Sequence, residues 1–295
     1  MLTLIAAPEA RAVTETATDL ARDALRAAGG ETGHPDWLAP FEACDIPFHG
    51  LYPHEAQKAV ATALKGHNLD VIAQPAPGRR KRLLIADMDS TIVTGETLDD
   101  LAAFAGIRDK IAAITARAMN GELDFKDALR ERVGMLKGLP TTCLEETWAH
   151  TTLTPGALTL VKTMRTNGAH CLLVSGGFDF FTGRVRDLCG FHEDRSNRFV
   201  IENDALTGRV VEPILDKEAK INALLEASAQ LEIAVEETLA VGDGANDLPM
   251  ILAAGLGIAF RAKPSVVAQA RHAIINSDLT GLLYAQGYRA EEFVT

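Results

Sequence analysis

The chain has 295 residues, of which 47% are hydrophobic, so it is long enough for one large or two medium domains with a sizeable core. Its formal net charge of −11 argues against nucleic acid and anionic membranes as partners, and an anionic substrate would need a local metal ion or basic cluster. No segment approaches the length of uninterrupted apolar sequence that a transmembrane helix needs, so no membrane span is predicted.

The N-terminal part alternates short strands and helices. The pattern predicts strands at 2–7, 42–49 and 69–73 and helices at 10–28 and 53–64. Residues 74–81 are rich in proline, glycine and charge, which is typical of a linker. We therefore expect a small α/β domain at residues 1–77 and a larger domain at 78–295. The small domain shows no catalytic pattern, and dimerisation or docking is as plausible a role for it as amino-acid sensing.

The larger domain begins with a short apolar strand, 82–86, that ends in Asp87 and Asp89. Open α/β sheets bind ligands at the carboxyl ends of their strands. Two carboxylates in one crevice repel each other unless a cation lies between them, which favours a divalent metal with oxygen ligands, Mg²⁺ first. Taken alone, such a pair after an apolar run is more often a turn or a helix cap than a metal site.

A long helical segment follows this strand. Its pattern predicts helices at 98–105, 109–119, 125–137 and 143–150, with no strand until residue 169. Helices inserted at this point would cover the crevice as a cap, at about residues 94–152. Strand and helix then alternate to the end of the larger domain. The predicted fold class is α/β, a doubly wound parallel sheet with a helical cap insertion and a small N-terminal α/β domain.

Three apolar strands of the larger domain end in polar turns that contain glycine. These turns begin at Asp87, Ser175 and Asp243, and strand ends in a parallel sheet lie side by side. The predicted edge gathers Asp87, Asp89, Asp243 and Asp247, with Lys220 as the candidate cation. Four carboxylates around one point need a metal, and phosphoryl transfer uses such a set.

These motifs resemble those of the haloacid dehalogenase superfamily of phosphatases. Asp87-Met88-Asp89-Ser90-Thr91 is similar to the first motif, Ser175 to the second, Lys220 to the third, and residues 242–247 to the fourth. The chain further resembles the phosphoserine phosphatase family over roughly residues 82–285. That narrower likeness rests on Ser175-Gly176-Gly177-Phe178 and on the positions of Glu96, Phe125 and Arg132.

The resemblance implies the catalytic roles. Asp87 would be the nucleophile that forms an aspartyl-phosphate, and Asp89 the general acid and then the general base. Asp87, Asp243 and the backbone carbonyl of Asp89 would bind Mg²⁺. Asp247 would orient waters bound to the metal, although a carboxylate favoured by the helix N-terminus explains it equally well.

The resemblance also implies the phosphoryl contacts. These would come from Ser175, the backbone N–H of Gly176, Lys220 and Asn246. Taken alone, the glycine fits a tight turn, Asn246 fits a helix cap, and Lys220 is an ordinary helix lysine with Lys217 just before it. Register with the family favours Lys220.

The amino-acid part of the implied substrate would be bound by the cap. Glu96 would bind its ammonium group, Arg132 its carboxylate, and Phe125 would close over it. Surface charges and a core aromatic are the ordinary alternative. Arg130 competes with Arg132, and register with the family favours Arg132.

The function implied by the resemblance is Mg²⁺-dependent hydrolysis of O-phospho-L-serine to L-serine and phosphate, the last step of L-serine biosynthesis. One alternative is a phosphatase of the same superfamily for another small phosphate ester, and another is a non-catalytic binding or regulatory protein on this fold.

The four cysteines lack metal-binding spacing and no signal peptide is recognisable, so we expect a cytoplasmic protein. The sequence leaves a homodimer open.

Overall fold

The computed structural model describes residues 1–119 and 123–295, so residues 120–122 of the predicted cap lie outside the described residues. The N-terminal elements are β1 (Leu2–Ile5), α1 (Glu15–Ala27), β2 (Glu31–Thr32), β3 (Asp36–Ala39), β4 (Ala43–Ile46), β5 (Phe48–His49), α2 (Pro53–Ala63) and β6 (Asp70–Ala73). β1, β3, β4 and β6 form an antiparallel sheet in the order β3-β4-β1-β6. The predicted strand at 42–49 is two strands, and β3 was not predicted.

Both faces of the N-terminal sheet are covered, because side chains alternate along each strand. Leu2 and Leu4 of β1 pack in a core with α1 and α2, whereas Ile5 and Ile72 pack against the core of the rest of the chain. Helix α1 begins where the Thr14 side chain accepts a hydrogen bond from the N–H of Ala17. The N-terminal unit is therefore fixed to the remainder of the molecule by a shared apolar core.

The segment that the composition indicates as a linker, residues 74–81, makes buried contacts with both parts of the chain. Arg79 is buried, donates to both carboxylate oxygens of Asp45 and to Thr3 Oγ1, and also donates to the carbonyls of Tyr284 and Ala285. Composition indicates a linker here, but one buried guanidinium ties the N-terminal sheet to the C-terminal helix.

The remaining elements build the larger unit. They are β7 (Leu83–Ala86), α3 (Thr97–Phe104), α4 (Arg108–Met119), α5 (Phe125–Gly134), α6 (Thr142–His150), α7 (Ala157–Thr166), β8 (His170–Phe178), α8 (Asp179–Cys189), β9 (Glu193–Asn197), β10 (Phe199–Glu202), β11 (Ala205–Val210), α9 (Lys217–Gln230), β12 (Thr238–Gly242), α10 (Leu248–Ala253), β13 (Leu256–Phe260), α11 (Pro264–Val267), β14 (His272–Ile274) and α12 (Gly281–Ala285). Most predicted elements are present with small shifts at their ends, whereas β9 and α12 were not predicted.

The central sheet has six parallel strands in the order β14-β13-β12-β7-β8-β9. Leu84 and Ala86 of β7 face one apolar core, and Leu83 and Ile85 face the other, so helices cover both faces. This is the predicted doubly wound α/β core.

Helices α3 to α6 form the cap between β7 and β8. The two segments that connect the cap to the core lie next to each other, and the N–H of Thr94 in one donates to the carbonyl of Thr152 in the other over 3.0 Å. The cap also rests on the β10–β11 hairpin, since the N–H of Gly138 donates to the carbonyl of Leu206. The hairpin turn is Asn203-Asp204, whose φ angles of 50° and 57° suit a tight two-residue turn.

Candidate active site

The three strands that carry the predicted site residues are neighbours in the sheet. β7 lies between β8 and β12, and Ala86 pairs with Leu173 on one side and Val241 on the other. The N–H of Asp87 continues the ladder by donating to the carbonyl of Val241 over 3.0 Å. The polar residues that follow these strands therefore meet at one edge of the sheet, as the sequence predicts.

A carboxylate cluster lies at this edge. Among the described residues, Asp87, Asp243 and Asp247 each offer an oxygen within 4.8 Å of the others. Asp87 and Asp247 are buried, and Asp243 is partly buried. Sequence reasoning placed Asp247 around the metal rather than on it, whereas in this geometry Asp247 lies in the cluster itself.

Lys220 is the buried cation of this cluster. Its Nζ donates to Oδ1 of Asp87 and to Oδ1 of Asp247, each over 2.5 Å, and its side chain is 3% exposed. Burial alone would lower the pKa of Lys220, but the carboxylates of Asp247 and Asp87 outweigh that effect and raise it. Lys220 therefore stays charged.

The charges of Lys220 and Lys263 do not cancel the effects of burial and of the neighbouring carboxylates in this cluster. Burial and the neighbouring Asp247 raise the pKa of Asp87 well above its ordinary value, against the opposing effect of Lys220. Burial and Asp247 likewise raise the pKa of Asp243 to about 6. The pKa shifts show that this edge favours additional positive charge.

The donor set fits a hard divalent cation. The clustered side chains offer carboxylate oxygens, which such cations prefer, and their raised pKa values indicate that a cation would stabilise the ionised carboxylates. Asp247 also folds over the loop that carries Asp243, because its Oδ2 accepts the N–H groups of Asp243 and Gly244. That contact fixes the loop for cation binding.

Asp89 joins the start of the cap to strand β8 of the central sheet. Its Oδ1 accepts the N–H of Thr97 over 2.8 Å, and its Oδ2 accepts the hydroxyl of Ser175 over 3.2 Å. Burial raises the pKa of Asp89, although these hydrogen bonds oppose the shift. A carboxyl group with a raised pKa, held at two oxygens, is suited to exchanging protons with a bound molecule.

The segment that follows Ser175 is closely packed. A Cβ on Gly177 would lie 3.0 Å from both Asp89 Oδ2 and Ser175 Oγ. The N–H of Gly177 donates to Ser175 Oγ over 2.8 Å, which orients the hydroxyl toward Asp89. The backbone at Gly177 thus approaches the Asp89 carboxylate closely.

Two cap residues of opposite charge, Glu96 and Arg132, have shifted pKa values. Glu96 accepts a hydrogen bond from Ser90 Oγ over 2.7 Å, and desolvation with the charges of Asp89 and Asp243 raises its pKa to about 7. Burial lowers the pKa of Arg132, while Asp99, Glu96 and Asp89 oppose that shift. The charge of Asp89 thus affects the pKa of both side chains, and Glu96 directly precedes Thr97, whose N–H donates to Asp89.

The structure separates Arg132 from Arg130. Arg130 is exposed and bonded to Glu212 and Asp127, whereas Arg132 is partly buried and donates to Thr115 Oγ1 over 3.2 Å. Of the two arginines that the sequence left in competition, Arg132 is the one whose pKa is affected by the charges of Asp99, Glu96 and Asp89.

Phe125 and Asn246 border the site in different ways. A Cβ on Gly176 would lie 3.2 Å from Cζ of Phe125, so this cap aromatic covers the Gly176 segment near the end of β8. Asn246 lies on the loop after β12 with Oδ1 folded back, 2.3 Å from where a Gly244 Cβ would be. Phe125 is thus against the predicted site, whereas Asn246 packs on its own loop.

Some residues that shape the site were not predicted. The Thr97 N–H was missed because backbone donors have no sequence signature of their own, although its position at the start of a helix is a usable signal. Thr115 and Asn197 were also missed, and the latter lies on the unpredicted strand β9.

Comparison with known proteins agrees with this geometry. The family model for haloacid dehalogenase-like hydrolases matches residues 84–252. The chain is 42% identical over 230 residues to a phosphoserine phosphatase of Archaeoglobus fulgidus, covering 77% of this chain and 67% of the relative. It is 39% identical over 256 residues to one of Streptomyces coelicolor, covering 86% of this chain and 62% of the relative. The chain thus spans about two thirds of the length of these relatives.

A solved structure matches nearly the whole chain. It is a HAD family hydrolase from Salmonella enterica subsp. enterica serovar Typhi, with a TM-score of 0.83 and 30% sequence identity. The match covers 96% of this chain and 97% of that one, so the N-terminal unit is included in the likeness.

Proposed function

This chain belongs to the haloacid dehalogenase-like hydrolases and, within them, to the phosphoserine phosphatase family, and we propose that it hydrolyses O-phospho-L-serine to L-serine and phosphate. The observation that supports the proposal is that two cap residues of opposite charge, Glu96 and Arg132, both have pKa values influenced by the charge of Asp89, and that Glu96 directly precedes Thr97, whose N–H donates to Asp89. One cap charge complements an ammonium group and the other a carboxylate. Lys220, together with a divalent cation that the carboxylate cluster would hold, complements a phosphoryl group.

The proposed chemistry begins at Asp87. Its carboxylate attacks phosphorus, the bond from phosphorus to the serine oxygen breaks, and an aspartyl-phosphate forms. Asp89 gives its proton to the departing serine oxygen, and its raised pKa supports that role. Asp89 then takes a proton from water, which attacks phosphorus, so that phosphate leaves and Asp87 is restored.

The phosphoryl oxygens need positive charge and hydrogen-bond donors throughout. Lys220, the Ser175 hydroxyl, the Gly176 N–H and Asn246 supply them in this proposal. Asp87, Asp243 and the backbone carbonyl of Asp89 would hold Mg²⁺, with Asp247 beside it. When bound, Mg²⁺ supplies positive charge that neutralises the phosphoryl oxygens.

The cap would select the substrate. Glu96 binds the ammonium group, Arg132 binds the carboxylate through two nitrogens, and Phe125 closes over the ligand. The raised pKa of Glu96 supports this assignment, because a substrate cation would stabilise the ionised carboxylate.

We propose two domains, residues 1–77 and 78–295, with the cap at about 94–152. Separate antiparallel and parallel sheets support the division. For the first domain we favour fixed docking, because Arg79 and Asp45 form a buried ion pair across the division and Asp70 accepts the N–H groups of residues 275–277. A homodimer stays a prediction.

We also propose that the protein acts in the cytoplasm as the last enzyme of L-serine biosynthesis. Its four cysteines are free thiols, which supports a reducing compartment. Within residues 1–119 and 123–295, no helix combines the length and apolar character that crossing a membrane requires.

The proposal is tested by phosphate release from O-phospho-L-serine beside a panel of other small phosphate esters, with Mg²⁺ and with EDTA. We expect metal-dependent release with phosphoserine preferred. Metal-dependent release that prefers another ester would contradict the proposal that Glu96 and Arg132 bind phosphoserine. It would leave the proposed phosphoryl transfer at Asp87 in place. No release from any ester would favour a binding protein on this fold.

A further inference from the structure

The pairing of β8 with the edge strand β9 is interrupted at the proposed phosphate-binding turn. Val174 pairs with Arg195, but the next paired residues are Phe178 and Asn197. β8 therefore advances by four residues while β9 advances by two, and Ser175, Gly176 and Gly177 bulge out of the ladder. Backbone groups in such a bulge need partners from elsewhere.

The side chain of Asn197 supplies one of these partners. Its Nδ2 donates to the carbonyl of Gly176 over 2.8 Å, and its Oδ1 accepts the N–H of Leu215 over 2.8 Å. The residue is 2% exposed. Because the Leu215 N–H can only donate, it fixes which end of the amide faces Gly176.

The Gly176 carbonyl and the Gly177 N–H belong to the same planar peptide unit. When Asn197 holds the carbonyl, the N–H points the opposite way, where it donates to Ser175 Oγ over 2.8 Å. Ser175 in turn donates to Asp89 Oδ2. Asn197 is thus linked to the proposed acid and base through three consecutive hydrogen bonds.

The other end of the amide reaches the element that carries Lys220. Leu215 directly precedes Asp216, whose side chain caps α9 by accepting the N–H groups of Glu218 and Ala219. Asn197 therefore bridges the turn on one side of the proposed phosphoryl site and the start of the lysine helix on the other.

We propose that Asn197 is a positioning residue for phosphoryl transfer. It fixes the orientation of the Gly176–Gly177 peptide relative to the start of α9. Asn197 would therefore act by positioning Ser175 and Lys220, and not by contacting the substrate. The expected effect on catalysis rests on the proposed function. The effect on the orientation of the peptide is measured separately, by hydrogen exchange of the Gly177 amide.

The test compares three variants with the wild-type protein. Asn197→Ala removes both hydrogen bonds, so we expect kcat on phosphoserine to fall about 10- to 100-fold, because small displacements of charge-stabilising groups have effects of that size. We expect KM to change less than about threefold, since Glu96 and Arg132 are untouched.

Asn197→Asp keeps the size of the side chain but changes its hydrogen bond to the Gly176 carbonyl, so it tests the hydrogen bond separately from the packing. The ionised side chain still accepts from Leu215 but repels the Gly176 carbonyl, whereas the protonated form can donate to it. The activity of this variant relative to wild type should therefore rise as the pH falls.

Thr182→Val is the matched control. Thr182 is buried, and its hydroxyl bonds Asp194 and Ser196 of the same strand β9 without touching the turn. We expect it to lower thermal stability while leaving kcat unchanged.

The exchange rate of the Gly177 amide hydrogen, monitored by NMR, measures how firmly this peptide is held and does not depend on enzyme activity. Exchange at least about tenfold faster in Asn197→Ala than in wild type and Thr182→Val would support the inference. Unchanged exchange, or wild-type kcat in Asn197→Ala, would overturn it. A wild-type protein that releases no phosphate would instead overturn the proposed function, and the exchange result would still decide the role of Asn197.

Discussion

Lys220 Nζ lies 2.5 Å from Asp87 Oδ1, although 133 residues separate the two along the chain. This contact joins helix α9 to the end of the central strand β7. It also places a permanent positive charge beside the carboxylate that we propose as nucleophile, where transferred phosphoryl oxygens would need it.

Replacing that charge should therefore impair catalysis severely. We expect Lys220→Met, which keeps the aliphatic length, to lower kcat/KM for phosphoserine at least about 100-fold, because buried charge stabilisation is lost. Steady-state phosphate release measures this. Glu218→Gln, on the same helix but exposed, is the control and should behave as wild type. Activity within threefold of wild type in Lys220→Met would contradict the role of Lys220.

The two cap arginines should separate substrate recognition from chemistry. We expect Arg132→Ala to raise KM for phosphoserine about 100-fold, because a charge-assisted contact to the substrate carboxylate is lost. Its activity on p-nitrophenyl phosphate, which lacks that carboxylate, should change little. Arg130→Ala removes only exposed ion pairs and should match wild type on both esters. Equal losses on both esters in Arg132→Ala would refute selective recognition.

Adjacent arginines should differ in their contribution to the docking of the N-terminal unit. Arg79 and Asp45 are 9% and 6% exposed, so Arg79→Ala leaves a buried carboxylate unpaired and should lower the free energy of unfolding by about 3–5 kcal/mol. Arg80 is 46% exposed in its pair with Glu292, so Arg80→Ala should lower it by less than about 1 kcal/mol.

Urea unfolding of both variants makes this comparison. The double variant Arg79→Met with Asp45→Leu should recover part of the loss, because no buried charge remains unpaired. Similar stabilities for Arg79→Ala and Arg80→Ala would show that the buried pair does not hold the two units together.

His272 should make stability depend on pH. Its Nδ1 lies 2.9 Å from Gln57 Oε1, and burial followed by the charge of Arg271 lowers its pKa from 6.5 to about 4. Between these two pKa values the unfolded chain binds the proton and the folded protein does not. Its stabilising contribution is therefore fully present above pH 6.5 and is lost as the pH falls toward 4.

The measurement is the free energy of unfolding at pH 7 and pH 5. We expect His272→Phe to remove about 2 kcal/mol of the decrease that wild type shows between these conditions. An identical decrease in both proteins would show that His272 does not titrate on unfolding.

The sequence predicted the sheet edge well because apolar strands followed by acidic turns are local patterns. Asp87, Ser175 and Asp243 each follow such a strand, and parallel pairing brings them together. Distant residues were harder to assign. Arg130 and Arg132 are two positions apart, and only tertiary packing directs one to solvent and the other toward Asp89.

The missed features share a physical cause. β9 has the polar sequence Glu193-Asp194-Arg195-Ser196-Asn197, so it lacks the apolar alternation that indicates a strand, and lies at an edge of the sheet. Arg79 stands in a segment whose composition indicates a linker, and its burial depends on Asp45 and the end of α12. Neither contact is encoded locally.

The most direct measurement is a rapid acid quench of the Mg²⁺-loaded protein during turnover of ³²P-labelled O-phospho-L-serine. Phosphoryl transfer to Asp87 predicts radiolabel on the peptide that contains Asp87, absent with EDTA and absent in Asp87→Asn, which should also release no phosphate. Sustained phosphate release by Asp87→Asn, or label on a different residue, would contradict Asp87 as the nucleophile.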